Sequence, residues 1–229
     1  MALSYTRSLH DFVMNHTDTP YNGPMDNIDF VKAFPLRPFK KGEVLLSEGD
    51  AAHRLLAVQT GYIKVSAIEA DGSQQLLWIA GRYDVVPVER MFSSRTNLRY
   101  FYTALSDGTA YHVDKQTFLD KAADSPALMA EVARGISQHY DELLERLQGA
   151  GHLTVRDRLV AVLRYVTEHF SSDVNVDLYE LGLRLTHQDL ASMIGTTRET
   201  VSLALGQLMH DGIVDYSRDH FRVHTDQLP

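Results

Sequence analysis

From about Phe30 to Phe118 the apolar residues come in short runs of about five to eight, cut by turn residues, and this texture predicts strands. The clearest runs are "GEVLLSEGD", "HRLLAVQTGYIKVSAIEADGSQQLLWIAG" and "LRYFYTALSDGTAYHV", punctuated by Gly42, Gly49, Gly61, Gly72, Gly81 and Gly108. Many short strands with glycine-marked turns read as an antiparallel sandwich or barrel. Asp71-Gly72, between "YIKVSAIE" and "QQLLWIA", marks a hairpin turn, because that pair tolerates the left-handed backbone a tight turn needs.

After Pro126 the period becomes helical. Leu128, Val132, Ile136, Tyr140, Leu143 and Leu147 recur every three or four residues, which places them on one face of a long helix. That stripe must be buried, either against its own barrel or as a coiled-coil-like seam between two chains, and its length favours the seam. "GAGHL" at 149–153 reads as a hinge, and "TVRDRLVAVLRYVTEHF" as a second amphipathic helix with Leu159, Val162, Leu163 and Val166 inward. Four segments follow: an arm over 1–29 with a short helix near Leu9 to Met14, a sandwich or barrel over 30–125, a long helix over 126–148 and a helical C-terminal domain over 149–229. The fold class is α+β.

Within the last segment, "LTHQDLASMIGTTRETVSLALGQLMHDG" carries two helix-start signals. Thr186 with Asp189 is a cap pair for a short helix whose Leu190, Ala191 and Ile194 face inward, and Gly195 can end it in the left-handed conformation. Thr196 with Glu199 caps a second helix with Val201, Leu205 and Leu208 inward. Two short helices joined by a glycine turn form a helix-turn-helix. "IVDYSRDHFRVH" adds two strands around Ser217 to His220, a hairpin wing. Thr197, Arg198, Glu199, Thr200 and Ser202 are hydrogen-bonding groups at the end of the second helix that would enter a major groove. Arginine can fork onto guanine, glutamate can accept from a cytosine amino group, and hydroxyls can hold phosphate.

Charge tempers this picture. The net charge of −8 argues against a general nucleic-acid coat, and residues 184–229 hold four arginines and no lysine against six acids. The expectation is modest DNA affinity with a shallow salt dependence. There is no cysteine, so iron–sulfur ligation and thiol chemistry are excluded. Charges scattered through "MALSYTRSLHDFVMNH" do not fit a signal peptide, so a cytoplasmic protein is expected.

On these residues the sequence resembles the Crp/Fnr family of bacterial transcription regulators, over about residues 30 to 224. "LTHQDLASMIGTTRETVSLAL" is similar to the family's helix-turn-helix signature, and "KKGEVLLSEGD…TGYIKVS" supports its β-roll. The resemblance implies a jelly-roll-like β-roll sensor, a dimerisation helix and a winged helix-turn-helix. It also implies a homodimer on a near-palindromic double-stranded operator, with RNA polymerase as a further partner. Arg198 and Glu199 match the family's base-reading pair, while Thr186, Gln188, Thr197 and Thr200 match phosphate-contacting positions. In the cyclic-AMP receptor branch an arginine lies one turn on; here that position is Leu203, beside the short polar Ser202, which implies altered or relaxed specificity at one base pair.

The sensor end departs further. Cyclic-nucleotide binders of this family carry Gly-Glu followed by Arg-Ser/Thr, so that the acid holds the ribose and arginine with backbone amides holds the cyclic phosphate. Anchoring on Asp84 in "GRYDVVPVERMFSSRTNLRYFYTAL", Gly-Glu falls on Pro87 and Val88, and proline lacks the amide. Glu89, Arg95 (followed by Thr96) and Arg99 are the nearest substitutes. Cyclic-nucleotide binding is not expected. Nor are haem or a metal cofactor, since residues 81–105 hold no histidine and only Met91 as a soft ligand. No H-x-H pair or nucleophile–base pairing suggests an enzyme. What remains is an aromatic cluster: Trp78, Tyr83, Phe92, Tyr100, Phe101 and Tyr102. Ordinary core is one reading. The other is an effector pocket of Trp78, Tyr83, Glu89, Arg95, Arg99, Tyr100 and Tyr102 for a flat or apolar small molecule. Regulation without an effector, and a β-roll interaction module whose helix-turn-helix no longer reads DNA, stay open as alternatives.

Overall fold

The computed structural model describes residues 29–150, 154–175, 178–181, 183–217 and 220–224. The expected N-terminal arm up to residue 28 lies outside the described residues, as do hinge residues 151–153.

The β-roll is two facing four-stranded sheets. Strands β1 (Leu36–Phe39), β3 (Arg54–Thr60), β6 (Val85–Val86) and β8 (Gly108–Asp114) form one, in the order β1-β8-β3-β6. Strands β2 (Val44–Leu46), β4 (Ile63–Ile68), β5 (Gln74–Ala80) and β7 (Phe101–Ala104) form the other, in the order β2-β7-β4-β5. All these pairings are antiparallel. Residues that alternate inward, among them Phe39, Leu56, Val58, Ile63, Val65, Val86 and Tyr102, fill the space between the sheets. The β4–β5 hairpin closes around Asp71-Gly72 as the sequence suggested. Gly72 takes φ 82° and the Ser73 N–H donates to Asp71 Oδ1 at 2.8 Å.

Helix α1 (Lys115–Asp124), capped by Asp114, leads into the long helix α2 (Pro126–Ala150). The apolar stripe of α2 divides. Leu128 and Val132 are buried against the β-roll beside Val85, Met91 and Phe118, whereas Ile136, Tyr140, Leu143 and Leu147 are exposed. The placement against the chain's own barrel is therefore realised in the first half alone, and the second half is open. The helix also continues through Gly149 to Ala150, so the first two residues of the expected hinge are helical.

The C-terminal domain comprises α3 (Val155–Phe170), α4 (His187–Ile194) and α5 (Arg198–His210). They pack on a sheet in the order β11-β12-β10-β9, built from β9 (Ser171–Asn175), β10 (Leu178–Leu181), β11 (Val214–Ser217) and β12 (His220–His224). The wing strands stand where expected. The β9–β10 hairpin does not appear in the sequence reading, because "SSDVNVDLYEL" is too polar to announce a buried strand. One apolar cluster joins this domain to the outer side of the β-roll, with Leu76, Ile79 and Leu105 packed with Leu159, Leu163, Val166, Ile194 and Phe170. Gly81 permits that closeness, since a Cβ there would lie 2.9 Å from the Phe170 ring. No helix among the described residues is long and apolar enough to cross a membrane.

Candidate nucleic-acid interface and interdomain cavity

The helix-turn-helix is built by local signals that the structure realises closely. Thr186 and Asp189 form a reciprocal capping box on α4: the Asp189 N–H donates to Thr186 Oγ1 at 3.1 Å, and the Thr186 N–H donates back to Asp189 Oδ2 at 3.0 Å. Gly195 ends α4 with φ 64°, a conformation that an L side chain resists. The cap of α5 is shifted by one residue from the sequence expectation. Thr197, not Thr196, is the N-cap, and its Oγ1 accepts from the Thr200 N–H at 3.2 Å. Val201, Leu205 and Leu208 then bury α5 against Leu190, Ala191 and Ile194 of α4.

That packing decides which side chains face outward. Arg198 and Glu199 are both exposed in the first turn of α5, as expected for a base-reading pair. Gln188 is exposed on α4, and Thr186 and Thr197 are exposed with hydroxyls engaged in capping. Thr200 is half-buried, 2.9 Å from Thr197 Oγ1. Ser202 is half-buried. Its hydroxyl donates to the Arg198 carbonyl at 2.9 Å and lies 2.8 Å from His187 Nδ1, so it ties α5 to α4. A serine at i+4 can bond back to its own helix, and the neighbouring imidazole completes its coordination. Arg156 at the start of α3 meets Asp211, just past α5, at 3.1 Å and steadies the far end of that helix.

The same domain is pinned to the sensor sheet. The Ser192 hydroxyl donates to the Gln74 carbonyl and accepts from the Leu76 N–H at 2.8 Å, which satisfies edge groups of β5. Lys64 Nζ lies 3.6 Å from Asp189 Oδ1.

Between β5, α2, α3 and the end of α4 is a cavity of about 530 Å³, within the range of small-molecule sites. Trp78 and Tyr100 from the β-roll, Leu143 from α2, Val162 and Tyr165 from α3, and Ile194 make its apolar wall. Glu89, His139, Glu142 and Arg158 supply polar groups. Three of the seven expected pocket residues, Trp78, Glu89 and Tyr100, therefore share this lining. Tyr102 is buried just beneath, its hydroxyl donating to Glu89 Oε1 at 2.7 Å. Burial, and then the charge and hydrogen bond of Glu89, push the Tyr102 phenol well above its ordinary value. The other three do not join them. Arg95 and Arg99 are exposed and absent from the wall, because their segment lies on the surface, and Tyr83 sits in a turn with φ 74° under the Arg82 guanidinium. The cavity residues that sequence reading missed, His139, Glu142, Arg158 and Tyr165, come from helices distant in the chain. Their spacing, i, i+3 on one helix and i, i+7 on the other, gave no ligand signal. At the cassette, Pro87 and Val86 are buried and Val88 lines the cavity.

Comparison with known proteins agrees with both halves. Residues 36–125 match the cyclic nucleotide-binding domain, and residues 157–226 match the Crp-like helix-turn-helix domain. The chain is similar to the anaerobic regulatory protein of Bacillus subtilis (strain 168), at 24% identity over 78% of this chain and 74% of that protein. It is equally similar to the CRP-like cAMP-activated global transcriptional regulator of Mycobacterium tuberculosis, at 24% identity over 76% of this chain and 77% of that one. Among solved structures, FixK2 from Bradyrhizobium japonicum superposes with a TM-score of 0.72 at 20% identity, over 84% of this chain and 92% of that one. A sensor β-roll joined through a long helix to a winged helix-turn-helix defines a class of DNA-binding regulators. The chain belongs to the Crp/Fnr family of transcription regulators.

Proposed function

We propose that this regulator works as a homodimer on a near-palindromic operator and answers to a small molecule other than cyclic AMP, bound in the interdomain cavity. The DNA-reading part is carried by one observation: Arg198 and Glu199 project from the first turn of a helix whose opposite face is locked to α4. The dimer is supported by the exposed half of the α2 stripe, where Tyr140 and Leu147 are 58% and 61% exposed and need an apolar partner. RNA polymerase is the further partner through which such a protein would act, and the cytoplasm is its place of work.

The effector reading rests on what lines the cavity. Pro87 has no N–H to offer a phosphate, and Val88 stands where an acid would hold a ribose. Glu89 is occupied by Tyr102, and Trp78 packs at a tilt against His139 with ring centroids 4.4 Å apart. This wall suits a flat, largely apolar molecule touching sensor, dimer helix and DNA-binding domain together, which would shift the population of their arrangements. No haem, iron–sulfur or metal cofactor belongs to this reading, and no catalytic role does.

Selection of bound duplexes from a random library by the full-length protein tests the function. A near-palindromic consensus should emerge, and Arg198→Ala with Glu199→Ala should abolish it. Selection of no sequence at all would leave the protein an interaction module. Thermal stabilisation by several degrees at micromolar cyclic AMP would overturn the effector reading.

A further inference from the structure

The outward face of α5 offers the groove few groups. Thr197 and Thr200 are engaged with each other and Ser202 with His187, which leaves Arg198, Glu199 and Leu203 as the exposed large side chains of its first two turns. Leu203 is 73% exposed, more than any other large apolar residue described. It lies four residues beyond Glu199, about 6 Å along the axis and on the same face. One turn further stands Gly206, where an added Cβ would meet nothing within 4 Å, so no side chain there shields the leucine.

A helix that delivers Arg198 and Glu199 to base edges carries Leu203 into the same groove. An isobutyl group has no hydrogen bond to give. Against a purine edge or a cytosine amino group it would strip water from donors and acceptors and leave them unpaired. The thymine 5-methyl is the one apolar feature on the major-groove edges of the bases.

We propose that Leu203 is a specificity-determining residue that reads a thymine methyl, placing an A·T pair in each half-site beside the base pairs addressed by Arg198 and Glu199. The inference rests on the DNA-reading function proposed above. It replaces relaxed specificity at this position with a defined apolar preference, where an arginine would choose guanine.

The test uses the full-length protein and the duplex that emerges from library selection. Each thymine of a half-site is replaced singly by deoxyuridine, which removes only the methyl. One thymine per half-site should be sensitive, with affinity falling about fourfold for each methyl lost, as expected for one buried carbon. Leu203→Ala should bind the thymine and uracil duplexes equally, and Leu203→Arg should select guanine at that position. Its exposure makes both variants safe for folding. A parent indifferent to every uracil substitution overturns the proposal, as does a Leu203→Ala protein that keeps the sensitivity. Failure of the parent to select any sequence strikes the function itself and is distinct from both.

Discussion

His169 Nε2 on α3 lies 2.9 Å from Glu142 Oε1 on α2, so one carboxylate ties the first helix of the DNA-binding domain to the dimer helix. His139 Nδ1 approaches the other oxygen at 3.7 Å. Trp78 packs at a tilt against His139, and Tyr165 at a tilt against His169 with 4.5 Å between ring centroids. A continuous line of contacts thus runs from sensor strand β5 through α2 to α3, along the wall of the cavity.

Acid should loosen this tie. Burial alone would push the Glu142 carboxyl up, but the His139 and His169 imidazoles beside it outweigh burial and bring the carboxyl from 4.5 to about 2. A carboxyl that binds its proton less readily when folded stabilises the fold above its unfolded value and loses that contribution as pH falls from 4.5 towards 2. The shift corresponds to about 3 kcal/mol at full effect. Urea titrations at pH 5, 4 and 3, followed by emission of Trp78, the sole tryptophan, should show the parent losing more stability than Glu142→Gln. Equal losses in the two proteins would remove the carboxylate from the account.

The exposed stripe on α2 should be the subunit contact. Tyr140→Glu with Leu147→Glu places charge in a seam that has to desolvate. Sedimentation should find monomers at concentrations where the parent is dimeric. Operator affinity should fall about 100-fold or more, because the second half-site no longer binds as part of the same molecule. A double variant that stays dimeric would put the interface elsewhere.

Ser202 and Leu203 are neighbours in different surroundings, one hydrogen-bonded to His187 and the other exposed. Ser202→Ala removes the link between α4 and α5 and should cost about 1 kcal/mol of stability, as for one hydrogen bond. The consensus selected from a library should be unchanged. A changed consensus would return Ser202 to the reading face.

Salt dependence should be shallow. With four arginines and no lysine in residues 184–229, few phosphates can be neutralised by side chains, and capped helix ends must supply other contacts. Operator affinity measured against salt should give a log–log slope shallower than about −8, and a steeper one would demand cations from outside this segment.

Much of this architecture is legible in the sequence, for a local reason. Strand alternation between Phe30 and Phe118, the Asp71-Gly72 turn, the Thr186–Asp189 capping box and Gly195 each act over a few residues, so spacing alone reveals them. The exposure of Arg198 and Glu199 is legible too, because a cap and three inward apolar positions fix which side of α5 faces out. The hydrogen bonds of Ser202 to Arg198 and His187 were not legible, because His187 lies on the other helix. The candidate pocket was only half readable. Arg95 and Arg99 had the right chemistry in the right stretch of chain, but that stretch runs over the surface.

The sequence by itself determined an antiparallel β-domain, a long helix, a helix-turn-helix with a hairpin wing and the residues at the tip of its second helix, since each follows from short-range periodicity and capping. Only the tertiary structure decided how these parts meet. It split the α2 stripe into a buried and an open half, seated Ser192 on the edge of β5, and brought Trp78, His139, Glu142, Arg158 and Tyr165 around one cavity. Those residues are separated by up to about ninety positions, and no pattern along the chain encodes which surfaces will touch. Contacts of that range follow from packing whole elements against one another, which local spacing does not record.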